Sequence, residues 1–172
     1  YDKELPAYET AVLKPRNLEY FQQLLAQAGL AGRSADFIAA TGKLAAMLYR
    51  YFTESYLRTP GAGGFTLLGL QDFPGQGTAL VDLVDSFGNS KGAVEPQAFR
   101  QSCCELTVLA KMERFVWQSA EPFCAEIVAS NYSVSDACMD VHWSLEKDDG
   151  TAISDGCFSG VSLTQGSVTA CG

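Results

Sequence analysis

The residues best suited to bind a ligand are Gln71, Asp72 and Phe73, which follow a short apolar run and precede a Pro-Gly turn. A carboxylate and an amide together accept and donate hydrogen bonds, so the pair could orient a hydroxyl-rich ligand. Phe73 could stack on the apolar face of such a ligand. The alternatives are that Asp72 caps the following turn or pairs with an arginine such as Arg58, and that Phe73 has only a packing role.

The single histidine, His142, lies in a stretch where apolar and polar residues alternate. With period two it belongs to the strand face opposite Val141, Trp143 and Leu145, so we expect it to face solvent. The chain has no second histidine and no nucleophile elbow. A Ser-His-Asp or Cys-His hydrolase site therefore has little support.

Six cysteines show no C-x-x-C pair and no histidine at zinc-finger spacing, so we expect no metal site and no cofactor. Disulfides and free thiols are equally consistent with the spacing. The cysteines are Cys103, Cys104, Cys124, Cys138, Cys157 and Cys171.

Two aromatic residues and one sequon have competing interpretations. Trp143 alternates with apolar residues, which indicates a core residue, whereas Trp117 could be either a core residue or a ligand platform. Asn131-Tyr132-Ser133 matches the N-glycosylation sequon, but such matches are common, and we give it no functional weight.

Helical periodicity dominates the first third of the chain. Asn17 is a candidate N-cap for an amphipathic helix that Gly29 ends. A second helix is predicted from Ser34 to Arg58, where Pro60 prevents continuation.

The next segment has the pattern of a βα repeat. Residues 65–70 are almost wholly apolar and predict a strand buried on both faces, as in a parallel sheet. A tight loop follows, and Thr78 could cap a short helix through Leu80, Val81 and Val84. Residues 95–104 predict one more short helix.

Beyond about residue 107 the apolar period changes to two. Residues 123–129, 139–145 and 158–163 alternate in this way, and Asp148-Asp149-Gly150 is a hairpin-turn signal between two of them. Four or five strands fit, fewer than the about seven of an immunoglobulin-like sandwich. The sequence therefore predicts a truncated β-domain.

Composition excludes some partners. Hydrophobic residues make up 47% of the 172 residues and charged residues 19%, as in a globular protein, and the net charge of -8 with scattered basic residues argues against nucleic acid. There is no apolar run long enough to span a membrane and no signal peptide. The chain begins at Tyr1 without an initiator Met, which is typical of a processed or excised chain.

The segment from Gly64 to Val81, GFTLLGLQDFPGQGTALV, resembles the last barrel strand of bacterial glycoside hydrolases related to family 2, the β-galactosidase-like group. Residues 13–17 and 57–59 also resemble helices that precede this strand in the group. The resemblance implies an α/β plus β protein: a partial (β/α)8 TIM barrel over residues 1–106, then a partial immunoglobulin-like β-sandwich over residues 107–172.

The resemblance also implies a function. The parent enzyme would hydrolyse β-linked glycosides by a retaining mechanism with two carboxylates about 5–5.5 Å apart. Both carboxylates are expected upstream of Tyr1, so no catalytic residue is assigned and the isolated chain is expected to be inactive. Gln71, Asp72 and Phe73 would line the sugar site, and the location would be periplasmic or secreted.

A partial barrel would leave apolar faces exposed, so self-association is a further expectation. The alternative to an enzyme fragment is a non-catalytic carbohydrate-binding or protein-interaction module, in which the barrel-like motif is only scaffold.

Overall fold

A computed structural model describes residues 4–9, 11–12, 14–73, 76 and 82–172. The described residues form two compact units, Tyr1–Arg50 with Thr66–Phe99 and Tyr51–Phe65 with Arg100–Gly172. The helices are α1 (Arg16–Gln27), α2 (Ser34–Leu57) and α3 (Pro96–Gln101), with 3-10 turns at Leu5–Tyr8 and Ala31–Arg33. The strands are β1 (Leu106–Lys111), β2 (Glu126–Asn131), β3 (Ala137–Glu146), β4 (Ala152–Leu163) and β5 (Ser167–Ala170).

Helix α1 confirms the predicted amphipathic helix and its end. Gly29 adopts a φ of 70°, and its N–H donates to Ala26 O at 3.0 Å. The N–H of Leu30 donates to Leu25 O at 2.8 Å, which completes a Schellman motif. Asn17 lies inside the helix and not at its N-cap, which is Pro15.

Helix α2 confirms the second predicted helix, and it ends at Leu57, three residues before Pro60. Only Thr53 and Leu57 are buried along it. Apart from Tyr49, which is half-buried, its other large apolar side chains are 39% exposed or more, so the described part of the chain leaves much of this helix uncovered. They are Phe37, Ile38, Leu44, Met47, Leu48, Tyr51, Phe52 and Tyr56.

Period-two alternation correctly predicts the antiparallel character of the C-terminal half. Strands β1, β2 and β5 form one antiparallel sheet with β2 in the centre, and β3 pairs with β4 in a two-stranded hairpin. Leu57, Leu109 and Val128 form a buried cluster, against which Tyr132 and Val168 pack. This cluster is the apolar core of the second unit.

The predicted turn between β3 and β4 is present. The N–H of Gly150 donates to Lys147 O at 2.9 Å, and the N–H of Lys147 donates to Thr151 O at 2.9 Å. Gly150 has a φ of 82°, which only glycine adopts without strain. The turn therefore sets the pairing next to it, Glu146 with Ala152, and the register shifts further along the hairpin.

The predicted parallel strand over residues 65–70 is wrong. The segment has no regular secondary structure, Leu68 is 97% exposed, and Gly64 and Gly69 have φ values of 116° and 88° that a β-strand excludes. A parallel strand needs neighbours that satisfy its backbone, and among the described residues only a single parallel bridge, Gln71 to Val84, is formed.

The predicted α/β plus β class, with a (β/α)8 barrel segment followed by a partial immunoglobulin-like sandwich, is therefore corrected to small antiparallel sheets with one long helix. Of the short helix predicted from Thr78 through Val84, residues 78–81 lie outside the described residues. Val84, its expected end, forms bridges to Gln71 and Ser90 instead. The predicted division of the chain into residues 1–106 and 107–172 stays a prediction.

Candidate functional site

The carboxylate of Asp72 is buried and engaged. Its Oδ1 accepts the N–H of Asp82 at 3.0 Å, and its Oδ2 lies 2.5 Å from Nζ of Lys91. The side chain of Asp72 is only 1% exposed and that of Lys91 is 23% exposed, so the carboxylate is shielded from water and the lysine only partly. Asp72 is thus paired with a lysine, Lys91, and not with an arginine such as Arg58. The N–H that it accepts belongs to Asp82, and much of the turn that follows Asp72 lies outside the described residues.

Gln71 and Phe73, which flank Asp72, are both exposed. Nε2 of Gln71 donates to Ser86 O at 3.0 Å, and Phe73 is 59% exposed. The N–H of Asp72 donates to Val84 O at 3.0 Å, which ties the backbone of this segment to its neighbour. The structure thus presents an amide and an aromatic ring on either side of a fixed acid.

Two tyrosine hydroxyls complete the polar network around this segment. Tyr8 Oη donates to Ser86 Oγ at 2.6 Å, and Ser86 Oγ donates to Asp72 O at 3.2 Å. Tyr49 Oη donates to Gly69 O at 2.9 Å. Burial raises the pKa of both tyrosines, so they are neutral donors at physiological pH.

The charge around Lys91 is predominantly negative. Burial raises the pKa of Glu4, and the positive charge of Lys91 offsets part of this effect, while Asp72 and Asp85 add to it. Glu4 is therefore more readily protonated than an ordinary glutamate. In the part of the first unit that the structure describes, Lys91 therefore interacts with three acidic side chains, those of Glu4, Asp72 and Asp85.

The second polar cluster lies on the exposed face of the β3–β4 hairpin. Asp140, His142 and Cys157 place one ligand atom each within 4.8 Å of one another, and His142 Nε2 lies 3.8 Å from Cys157 Sγ. His142 and Cys157 are directly paired across the hairpin. These three side chains could hold a metal ion.

Zinc-finger spacing does not predict this cluster, because its ligands are not all close together along the chain. A signal was present, since Asp140 and His142 are two residues apart in a period-two strand and therefore share a face. Cys157 reaches the position opposite His142 only through the register shift between Leu145 and Glu146, which the sequence does not predict. The expectation that His142 faces solvent is confirmed, because His142 is exposed whereas Val141 is 1% exposed.

Other residues singled out from the sequence have structural contacts. Trp143 is half-buried on the inner face of its strand. Trp117 is also half-buried, with the Arg114 guanidinium 4.4 Å from its ring centre. Asn131 of the sequon is fully buried, and all six cysteines, which lie in the described ranges, are free.

No known protein-family model matches the sequence, and a comparison with curated proteins finds no significant match. Within the described residues, no helix combines the length and the apolar character needed to cross a lipid bilayer.

Proposed function

We propose that this chain is part of a glycoside hydrolase that acts on β-linked sugars, and that Gln71 and Phe73 contact the sugar. The observation that carries the proposal is the exposure of these two side chains on either side of Asp72, which is buried and ion-paired. The resemblance of residues 64–81 to family 2 supplies the substrate class. The catalytic carboxylates would lie elsewhere in the parent.

The chemistry of the three side chains suits sugar recognition. An amide donates to one hydroxyl and accepts from another, and an aromatic ring packs against the C–H face of a pyranose. Asp72, held by Lys91 and by the N–H of Asp82, acts as a positioning residue for its two neighbours. Direct contact between Asp72 and the sugar would require the Lys91 pair to open.

In the parent, this surface would orient the sugar while two other carboxylates perform retaining hydrolysis. The family resemblance places such an enzyme in the periplasm or outside the cell. The isolated chain would then bind β-glycosides weakly without cleaving them.

The proposal is tested by titrating the 15N-labelled chain with methyl β-galactoside and methyl β-glucoside and recording amide chemical shifts. We expect changes at residues 71–73, which Gln71→Ala and Phe73→Ala abolish. Phe37→Ala, which removes a comparably exposed ring from the same unit, is the matched control. Ligand-induced chemical-shift changes that persist in Gln71→Ala and Phe73→Ala would contradict the assignment of the sugar-binding surface to these residues.

Enzyme kinetics separate binding from catalysis. In the full natural protein, Gln71→Ala should raise KM for an aryl β-glycoside more than it lowers kcat, because Gln71 orients the substrate without reacting. Turnover by this chain alone, in proportion to its concentration, would contradict the placement of the catalytic carboxylates outside it.

A protein-interaction module is the second candidate function, and the exposed apolar residues of α2 favour it. Among them are Leu44 and Met47, which are 55% and 68% exposed. Self-association through this face would bury them. Light scattering should then show a concentration-dependent mass that Leu44→Lys with Met47→Lys reduces to that of the monomer. A monomer at every concentration would count against this function.

A further inference from the structure

We propose that Asp140, His142 and Cys157 form a binding site for a zinc-class divalent metal ion on the β3–β4 hairpin. The site is independent of the sugar-binding surface proposed above. It offers one carboxylate oxygen, one imidazole nitrogen and one thiolate sulfur, whose ligand atoms all lie within 4.8 Å of one another. These three donor types are the ones that bind Zn²⁺ in proteins.

The distances fit tetrahedral coordination. Zn–S and Zn–N bonds of about 2.3 and 2.0–2.1 Å at a tetrahedral angle separate sulfur from nitrogen by about 3.6 Å. The measured separation between Cys157 Sγ and His142 Nε2 is 3.8 Å. The largest separation in the group, at most 4.8 Å, closes by a side-chain adjustment of about 1 Å.

The hairpin holds the ligands in place. His142 and Cys157 are cross-strand partners, and a bulge in β4 follows between the pairs Met139–Val161 and Val141–Phe158. At this bulge Gly160 adopts a φ of 65°, and its N–H donates to Oδ1 of Asp140 at 2.8 Å. That bond fixes the carboxylate and leaves Oδ2 for the metal.

A second-sphere hydroxyl accompanies the thiol. Ser159 Oγ lies 3.6 Å from Cys157 Sγ, on the same strand and two residues further along. A hydroxyl in this position can donate to the metal-bound thiolate, as second-sphere groups commonly do around metal ligands.

The donor set selects the metal. Thiolate and imidazole disfavour Mg²⁺ and Ca²⁺, which prefer oxygen ligands, and favour Zn²⁺ or Co²⁺. Three protein ligands leave the fourth position to water, and the site is exposed, so solvent reaches it. Binding replaces the thiol proton of Cys157 by the metal, with one proton released to solvent.

Co²⁺ is the probe of choice, because cobalt bound to a thiolate gives a ligand-to-metal charge-transfer absorption. We expect the reduced full chain to bind one Co²⁺ with this band and Zn²⁺ to displace it. Cys157→Ser should abolish the band, and His142→Ala should weaken binding at least about tenfold, the lower end of what even second-sphere changes cost.

Cys138→Ser is the matched control for Cys157→Ser, because Cys138 is an exposed thiol of the same hairpin, on β3, and lies outside the cluster. It should leave the band and the affinity unchanged, and the far-UV circular dichroism of all variants should be the same. The proposal is overturned if the natural chain gives no charge-transfer band, if Cys157→Ser retains it, or if Cys138→Ser loses it equally.

Discussion

The indole ring of Trp143 covers the backbone of Gly156, its cross-strand partner in the β3–β4 hairpin. A Cβ placed on Gly156 would lie 2.8 Å from three atoms of that ring, closer than van der Waals contact permits. The glycine is therefore needed for the close approach of the ring and not for an unusual backbone angle.

We predict that Gly156→Ala destabilises the protein by about 1–3 kcal/mol, because the ring or the strand must move to admit the methyl group. Urea denaturation followed by tryptophan fluorescence measures this change. Ser154→Ala, an exposed change on the same strand, should stay within about 0.5 kcal/mol. Equal stability of both variants would show that the ring has room to move.

Asn131 connects strand β2 to one nearby carbonyl group, that of Ser135, and to one distant in sequence, that of Leu163. Its Nδ2 donates to Leu163 O and to Ser135 O, both at 2.9 Å, and its Oδ1 accepts the N–H of Ser133. We predict that Asn131→Ala costs about 2–3 kcal/mol, because it leaves buried polar groups without partners. The urea midpoint should fall, whereas Val134→Ser, a change at a 90% exposed neighbour, should leave it unchanged.

The ion pair between Asp72 and Lys91 predicts that removing the Asp72 carboxylate strongly lowers the stability of the protein. Asp72→Asn should destabilise the protein by about 3 kcal/mol, since it leaves the charge of Lys91 without its buried counterion. The control is Asp36→Asn, which breaks the exposed pair with Arg33 and should cost less than about 1 kcal/mol. Both changes in stability are measured by thermal denaturation. Similar losses of stability in Asp72→Asn and Asp36→Asn would contradict the idea that burial makes the first ion pair the stronger one.

The hydrogen bonds of the Asp85 carboxylate predict that the protein loses stability in acid. Burial alone would raise its pKa, but hydrogen bonds from the side chain and N–H of Asn89 and from the N–H of Phe87 outweigh burial and lower the pKa below the ordinary 3.8. The resulting stabilisation is present above that ordinary value and is lost as the pH falls through the folded-state pKa.

The test is an NMR titration of the Asp85 carboxyl carbon, whose midpoint should lie below 3.8. Asn89→Ala should raise this midpoint toward the ordinary value, because it removes the side-chain hydrogen bond. Ser90→Ala, at the next position, should not. A midpoint that does not respond to Asn89→Ala would rule out this hydrogen bond as a main cause.

Local periodicity predicted most of the regular elements. The apolar spacing that follows Asn17 and Ser34 gave helices α1 and α2, and alternation with the Asp148-Asp149-Gly150 turn gave the β3–β4 hairpin. These predictions hold because residues three or four apart in a helix, and two apart in a strand, share a face in any fold.

Residues 65–70 form no strand, although their apolar run predicted one. A short apolar run carries no period that distinguishes a buried strand from an exposed irregular segment. Gly64, which precedes the run, and Gly69, which lies within it, have positive φ values. The sequence does not specify which backbone region a glycine adopts.

Local sequence patterns suffice to predict the helices, the alternating strands and the exposure of His142, because each depends on contacts between near neighbours in the chain. The pairing of Lys91 with Asp72 and the position of Cys157 beside His142 emerge only in the folded chain. Those pairings join residues 15 or more positions apart, and they depend on strand register and loop closure, which no local pattern specifies.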